Sequence, residues 1–180
     1  VNTREAVELI ADAVPTDGGT WADFGAGRGV FTRALVERIG SAGTVYAIDR
    51  DASALSELRR RAEKEHLRVI PVRADFAKEF ELPGLQGPSL DGMLFANALH
   101  FVRDAGPVLR TLTGRLRPGG RVVVVEYEGR AANPWVPHPI PPSRLQELAA
   151  AAGLTSPVIT ATRPSAFGGR LYVAVSERYS

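Results

Sequence analysis

Thr20-Trp21-Ala22-Asp23-Phe24-Gly25-Ala26-Gly27-Arg28-Gly29 decides how this chain folds. A strand-like apolar run, Thr20 to Phe24, passes straight into a loop with glycine at every second position. Val30 to Ile39 then has the spacing of a helix. Glycine accepts the left-handed backbone that a sharp strand-to-helix turn demands, where a side chain costs ~1–2 kcal/mol. It also lets a ligand approach the main chain. The next β-rich run, Thr44 to Ile48, ends at Asp49, 24 positions after Gly25. A carboxylate there can accept hydrogen bonds from both hydroxyls of a ribose, each charge-assisted bond contributing roughly 1.5–3 kcal/mol.

Outward from this stretch the chain alternates. Asn2 to Val14 sets Ala6, Leu9, Ile10 and Ala13 on one helical face and stops at Pro15-Thr16-Asp17-Gly18-Gly19. Asp51 is the expected N-cap of a helix to Glu65, with Leu55 and Leu58 inward and a mixed-charge outer face around Arg59-Arg60-Arg61. Strands are predicted at Leu67–Val72, Leu90–Ala96 and Val122–Glu126, the last following a turn at Arg117-Pro118-Gly119-Gly120. Helices are predicted at Ala105–Leu116 and Ser143–Ala152, and final strands at Val158–Thr162 and Leu171–Ser176. This alternation predicts an α/β fold, a mainly parallel sheet with helices on both faces. Arg163 to Arg170 is too short for a parallel crossover, so the last two strands must pair antiparallel. Asn133 to Pro142 is a proline-stiffened loop.

Composition bounds the function. With 180 residues, 44% hydrophobic and 23% charged, the expectation is one domain over residues 1–180 with a full core. No apolar run reaches the ~18–20 residues of a membrane span. The first residues carry acids at helical spacing, so no signal peptide is read, and no membrane association is expected. Cysteine is absent, which removes disulfides, thiolate metal sites and thiol nucleophiles and fits a cytoplasmic setting. A formal net charge of +2 does not argue for nucleic acid.

The loop also selects its ligand. Gly25 and Gly27 suit a nicotinamide fingerprint, but the third glycine should stand where Val30 is. Asp23 would repel a pyrophosphate and attract a cationic amino group, which favours a zwitterionic, positively charged cofactor over a dinucleotide.

Asp23 to Gly29, then Gly43-Thr44-Val45-Tyr46-Ala47-Ile48-Asp49, then Leu116-Arg117-Pro118-Gly119-Gly120-Arg121-Val122 together resemble the class I S-adenosylmethionine-dependent methyltransferases. The similarity is to the small single-domain group that includes ubiquinone-biosynthesis and other small-molecule enzymes. It implies a Rossmann-like doubly wound seven-stranded sheet in order 3-2-1-4-5-7-6 with strand 7 antiparallel, and no separate cap domain. It implies S-adenosylmethionine as cofactor. It also implies that Asp23, Gly25, Ala26 and Gly27 meet the methionine end, with Phe24 also cofactor-binding, that Asp49 meets the ribose, Arg50 the adenine edge, Asp75 the adenine amine and the Phe76 backbone the ring, and that Asn97 lies near the sulfonium.

In such a reaction the methyl is already activated, and alignment of a nucleophile behind it can supply ~7–11 kcal/mol. A base matters only where the nucleophile arrives protonated. His100, in Asn97-Ala98-Leu99-His100-Phe101, is the candidate catalytic base; a pocket wall is its other reading. His138 is read as a loop histidine over the substrate side, and His66 as solvated. Glu126 and Tyr127 either face substrate or cap the fifth strand, and Trp135 either faces substrate or anchors its loop. Arg28 receives no role.

Absences narrow the acceptor. Without cysteine, thiolate-dependent cytosine and arsenite methylation are excluded. Lys64 and Lys78 lie in the wrong segments for the lysine tetrad of ribose-hydroxyl enzymes, and Asn97-Ala98-Leu99-His100 replaces the motif of adenine and amide enzymes. A small-molecule O-, N- or C-nucleophile remains, with no metal. Few residues precede the glycine loop, so the pocket is expected either open or closed by a second chain as a homodimer. A non-catalytic S-adenosylmethionine-binding regulatory module and a nicotinamide oxidoreductase are the competing readings.

Overall fold

The computed structural model describes Val1–Ser180. Five helices, α1 (Thr3–Ile10), α2 (Val30–Ile39), α3 (Ala52–Lys64), α4 (Ala105–Thr113) and α5 (Pro142–Ala151), surround one sheet. Its strands are β1 (Thr20–Phe24), β2 (Thr44–Asp49), β3 (Val69–Arg73), β4 (Leu90–Ala96), β5 (Leu116–Glu128), β6 (Val158–Pro164) and β7 (Arg170–Glu177). Their order is β3-β2-β1-β4-β5-β7-β6. The first five run parallel, and β7 pairs antiparallel with both β5 and β6. The predicted order, and the antiparallel pairing required by the short last connection, are therefore both present.

Two apolar layers hold the sheet. Ala22, Phe24, Met93, Phe95, Val122 and Val124 point into one, beneath α4 and α5. Trp21, Leu94, Val123 and Val125 point into the other, beneath α1 and α2. Alternate residues of one strand thus enter opposite layers, which is why the central strands are apolar at nearly every position. At the start of α1, Asn2 and Glu5 form a reciprocal capping box.

Several predicted boundaries shift, three of them by more than two residues. The first helix ends at Ile10 rather than Val14, because Ala11 to Ala13 turn away. The fourth helix stops at Thr113, and β5 begins at Leu116. The Arg117–Gly120 turn is a bulge inside that strand: Leu90 pairs with Leu116 and Gly92 with Arg121, and Gly119 has φ +73°. The chain end ties the bulge down, since Gly119 donates to the Arg178 carbonyl at 2.9 Å and Arg178 to the Gly120 carbonyl at 2.8 Å.

Between β3 and β4 the crossover carries no helix. Phe76, Phe80, Leu82 and Leu85 fill the layer instead. Phe24, Phe76 and Phe95 make a ring cluster, with Phe24 stacked on Phe95 at 4.8 Å and Phe76 edge-on to both. This cluster forms a floor at the carboxyl ends of β1 and β4. No helix is long and apolar enough to cross a membrane.

Candidate active site

In an open parallel sheet the ligand crevice lies beyond the carboxyl ends of the strands, where the order reverses. Here β1 is followed by β2 on one side and β4 on the other. A cavity of about 540 Å³ opens there. Gly25, Asp49, Arg50, Asp75, Phe76 and Asn97 line it, six of the residues expected at a cofactor. Asp23, Phe24, Ala26 and Gly27 do not. Phe24 belongs to the ring floor, and Asp23 is buried under the loop.

The loop is shaped by its own backbone. Gly25 and Ala26 donate to the Ile48 carbonyl at 2.8 and 3.0 Å, which folds the loop over the end of β2. Gly25 has φ +78°, and a Cβ there would stand 2.8 Å from the Ala98 Cβ. Neither the conformation nor the space admits a side chain. Asp49 braces the far side: Oδ2 accepts the Gly27 N–H at 2.7 Å and Oδ1 the Asp51 N–H at 2.8 Å. A carboxylate offers about four lone-pair positions, so two acceptor directions remain for a ligand.

Asp23 is held differently. The Thr32 hydroxyl donates to its Oδ2 at 2.6 Å. Burial pushes its carboxyl up to about 7, the Thr32 bond lowers it, and the charge of Asp49 raises it further.

Asn97 ends β4 in a left-handed backbone, φ +53°. Its N–H donates to the Val125 carbonyl at 2.8 Å, yet its side-chain Oδ1 is buried without a partner. An unpaired buried acceptor is costly, about 1–3 kcal/mol, unless a ligand completes it. The orphaned Asn97 oxygen and the Gly25 cradle both fit a bound molecule carrying N–H or O–H donors, as an amino-acid nucleoside does.

Beyond Asn97 a short 3-10 turn, Leu99–Phe101, carries His100 beside the cavity without lining it. His100 is 2% exposed and Glu126 is 0% exposed. Nδ1 of His100 lies 2.7 Å from Glu126 Oε2, and the His100 N–H donates to Glu126 Oε1 at 3.2 Å. An ionised carboxylate only accepts, so Nδ1 carries the proton and Nε2 keeps the lone pair. This pair was not read from the sequence. The available signal was positional: Asn97 and Glu126 each follow residues paired across β4 and β5, Ala96 and Val125.

The remaining candidates separate. Glu126 is fully buried and bonded to His100. Tyr127 is half-buried, 6.1 Å from the His100 ring, with the Arg130 guanidinium 4.6 Å above its own ring. His138 is half-buried, and its N–H donates to the His100 carbonyl at 3.0 Å. Trp135 is not its loop's anchor. Val136 is buried in that role, while Trp135 is exposed. His66 is exposed, at φ +53° after α3.

Comparison with known proteins agrees with this architecture. The family described as "Methyltransferase domain" matches residues 22–120, which include the glycine loop, Asp49, Asn97 and His100. The ribosomal RNA small subunit methyltransferase H of Thermomicrobium roseum is 35% identical over 109 residues, 58% of this chain and 33% of that protein. The fumosorinone synthetase of Cordyceps fumosorosea is 32% identical over 112 residues, 59% of this chain and 3% of that protein. The chain thus spans at most about a third of the length of these curated relatives. A crystal structure of the Burkholderia thailandensis 1,6-didemethyltoxoflavin-N1-methyltransferase, with 1,6-didemethyltoxoflavin and S-adenosylhomocysteine bound, superposes with TM-score 0.76 and 25% identity. That match covers 99% of this chain and 78% of the other. This chain belongs to the methyltransferase domain family, S-adenosylmethionine-dependent methyltransferases of class I fold.

Proposed function

We propose that this chain moves a methyl group from S-adenosylmethionine to a small-molecule acceptor whose nucleophile arrives protonated, with residues 1–180 acting as one domain without a separate cap. The observation that carries the reading is the buried His100–Glu126 pair beside the Asn97 end of the cavity. A module that only binds cofactor has no use for a buried imidazole held in place by a buried carboxylate beside the cavity.

When bound, the cofactor supplies an activated methyl on a sulfonium. The chain supplies the rest. In this reading Asp49 accepts the ribose hydroxyls on its two free lone pairs, and Asp75 and the Phe76 backbone hold the adenine, with Arg50 at its edge. The methionine end lies against Gly25, with Asp23 and Phe24 buried beneath the loop and Ala26 and Gly27 continuing it, and Asn97 Oδ1 accepts an N–H or O–H donor. His100 takes the acceptor's proton on Nε2, and Glu126 stabilises the imidazolium that results. Such proton transfer contributes typically 10²–10⁴-fold.

The small-molecule acceptor in this reading follows the Burkholderia relative, whose structure holds 1,6-didemethyltoxoflavin and which superposes over 99% of this chain. We further infer a cytoplasmic setting, no nucleic-acid partner, and an acceptor site either open or completed by a second copy of the chain.

The test is direct. Purified protein is titrated with S-adenosylmethionine, S-adenosylhomocysteine and NAD. It is then incubated with S-adenosylmethionine and phenol, amine and enolisable-carbonyl acceptors, and with 16S ribosomal RNA, while S-adenosylhomocysteine release is followed. Binding of the sulfur compounds with turnover of a small acceptor is expected. Turnover of RNA alone, or binding without any turnover, overturns the proposal.

A further inference from the structure

We propose that Phe101, Trp135 and Phe167 form an aromatic rim that receives a flat, conjugated acceptor and sets its class, an inference that rests on the methyl-transfer reading above. These three rings are 56%, 76% and 77% exposed. Each lies on a different short segment: Phe101 follows β4, Trp135 follows β5, and Phe167 lies between β6 and β7.

Phe101 is beside the pair itself. Its ring centroid is 4.4 Å from that of His100, and it lines the cavity. Trp135 belongs to the loop whose His138 N–H is bonded to the His100 carbonyl at 3.0 Å. Three residues reach at most ~10 Å, so Trp135 cannot leave the neighbourhood of His100. Its presentation is built. Asn133 Oδ1 accepts the N–H groups of Trp135 and Val136 at 2.9 and 3.0 Å, and Asn133 and Val136 form a bridge. The turn buries Val136 and sets the indole outward.

Phe167 sits at the tip of the β6–β7 hairpin. Because β7 is antiparallel to β5, with Arg170 opposite Glu128, that tip emerges at the same end of the sheet. The hairpin also backs onto the rim, since a Cβ at Gly169 would meet Arg130 Cγ at 3.2 Å. Arg130 in turn lies over the Tyr127 ring, 4.6 Å from its centroid.

Exposed aromatic rings on three segments at one end of the sheet point to a ligand held there. A flat acceptor fits it better than a second copy. Arg130 is in no ion pair, and a two-fold contact through the rim would bring the Arg130 cations of both copies together. A π-system can instead lie against the rings and beneath the guanidinium.

Isothermal titration of the protein saturated with S-adenosylhomocysteine, using 2-naphthol and its saturated counterpart decahydro-2-naphthol, separates shape from apolarity. The expected result is at least tenfold tighter binding of 2-naphthol. Trp135→Ala and Phe167→Ala should each remove tenfold or more of it, with S-adenosylhomocysteine affinity unchanged. Equal binding of the two alcohols, or unaltered 2-naphthol binding by both variants, overturns the rim. So does sedimentation showing a wild-type dimer that Trp135→Ala turns into a monomer. Failure of S-adenosylhomocysteine to bind at all would instead refute the methyl-transfer reading.

Discussion

Glu126 directs both of its carboxylate oxygens at one residue, His100: Oε2 meets the ring Nδ1 at 2.7 Å and Oε1 accepts the backbone N–H at 3.2 Å. The side chain and the main chain of the same histidine are thereby fixed from the neighbouring strand. Ring orientation and tautomer follow together.

If His100 is the proton acceptor, His100→Ala lowers turnover by ~10²–10⁴ and leaves S-adenosylhomocysteine affinity intact. Glu126→Gln keeps the shape but loses the charge that stabilises the imidazolium. Its turnover should fall at least about tenfold. Steady-state rates check both. A fall below tenfold in His100→Ala makes the histidine a wall.

Asp49 holds the Gly27 and Asp51 N–H groups and, as proposed, the ribose. Asp49→Ala should therefore weaken S-adenosylhomocysteine by tenfold or more, since ~1.4 kcal/mol is one decade. Calorimetric titration measures this directly, and unchanged affinity would place the ribose elsewhere.

Burial raises the Asp23 carboxyl from 3.8 to about 7. A carboxyl raised on folding stabilises the protein fully below its unfolded value, and that contribution is lost as pH rises through the folded value. Stability should decline between about pH 4 and pH 7 by at most about 4 kcal/mol from this group. Asp23→Asn, which still accepts the Thr32 hydroxyl, should flatten that decline. Urea unfolding at pH 5 and pH 8 compares the two proteins.

Gly25→Ala combines a positive φ with a Cβ 2.8 Å from that of Ala98. The backbone alone costs ~1–2 kcal/mol. A lower urea midpoint and weakened cofactor binding are expected together, whereas Gly84→Ala, at φ +75° with open space around it, should lose stability without losing affinity.

Much of this was legible before any coordinates. Gly25 to Gly29 between a strand and a helix, and Asp49 one strand over, locate the crevice through local chemistry alone. The short Arg163–Arg170 link settles the direction of β7 by chain length. The His100–Glu126 pair was hidden because it needs the β4–β5 register, which no local pattern encodes. The bulge at Gly119 read as a turn because its glycine and proline are the same signals; only its ties to Arg178 make it part of a strand. The division of labour between Trp135 and Val136 likewise depends on Asn133 aiming one in and the other out.

The reversed strand β7 has a consequence for how such a protein can change. It brings the β6–β7 hairpin to the same end of the sheet as the crevice, whose lining runs only from Gly25 to Val108. Variation at Ser165 to Gly169, or in the proline loop, can thus reshape that end without touching a residue of the crevice. One scaffold can in this way be inherited whole and diversified from its tail.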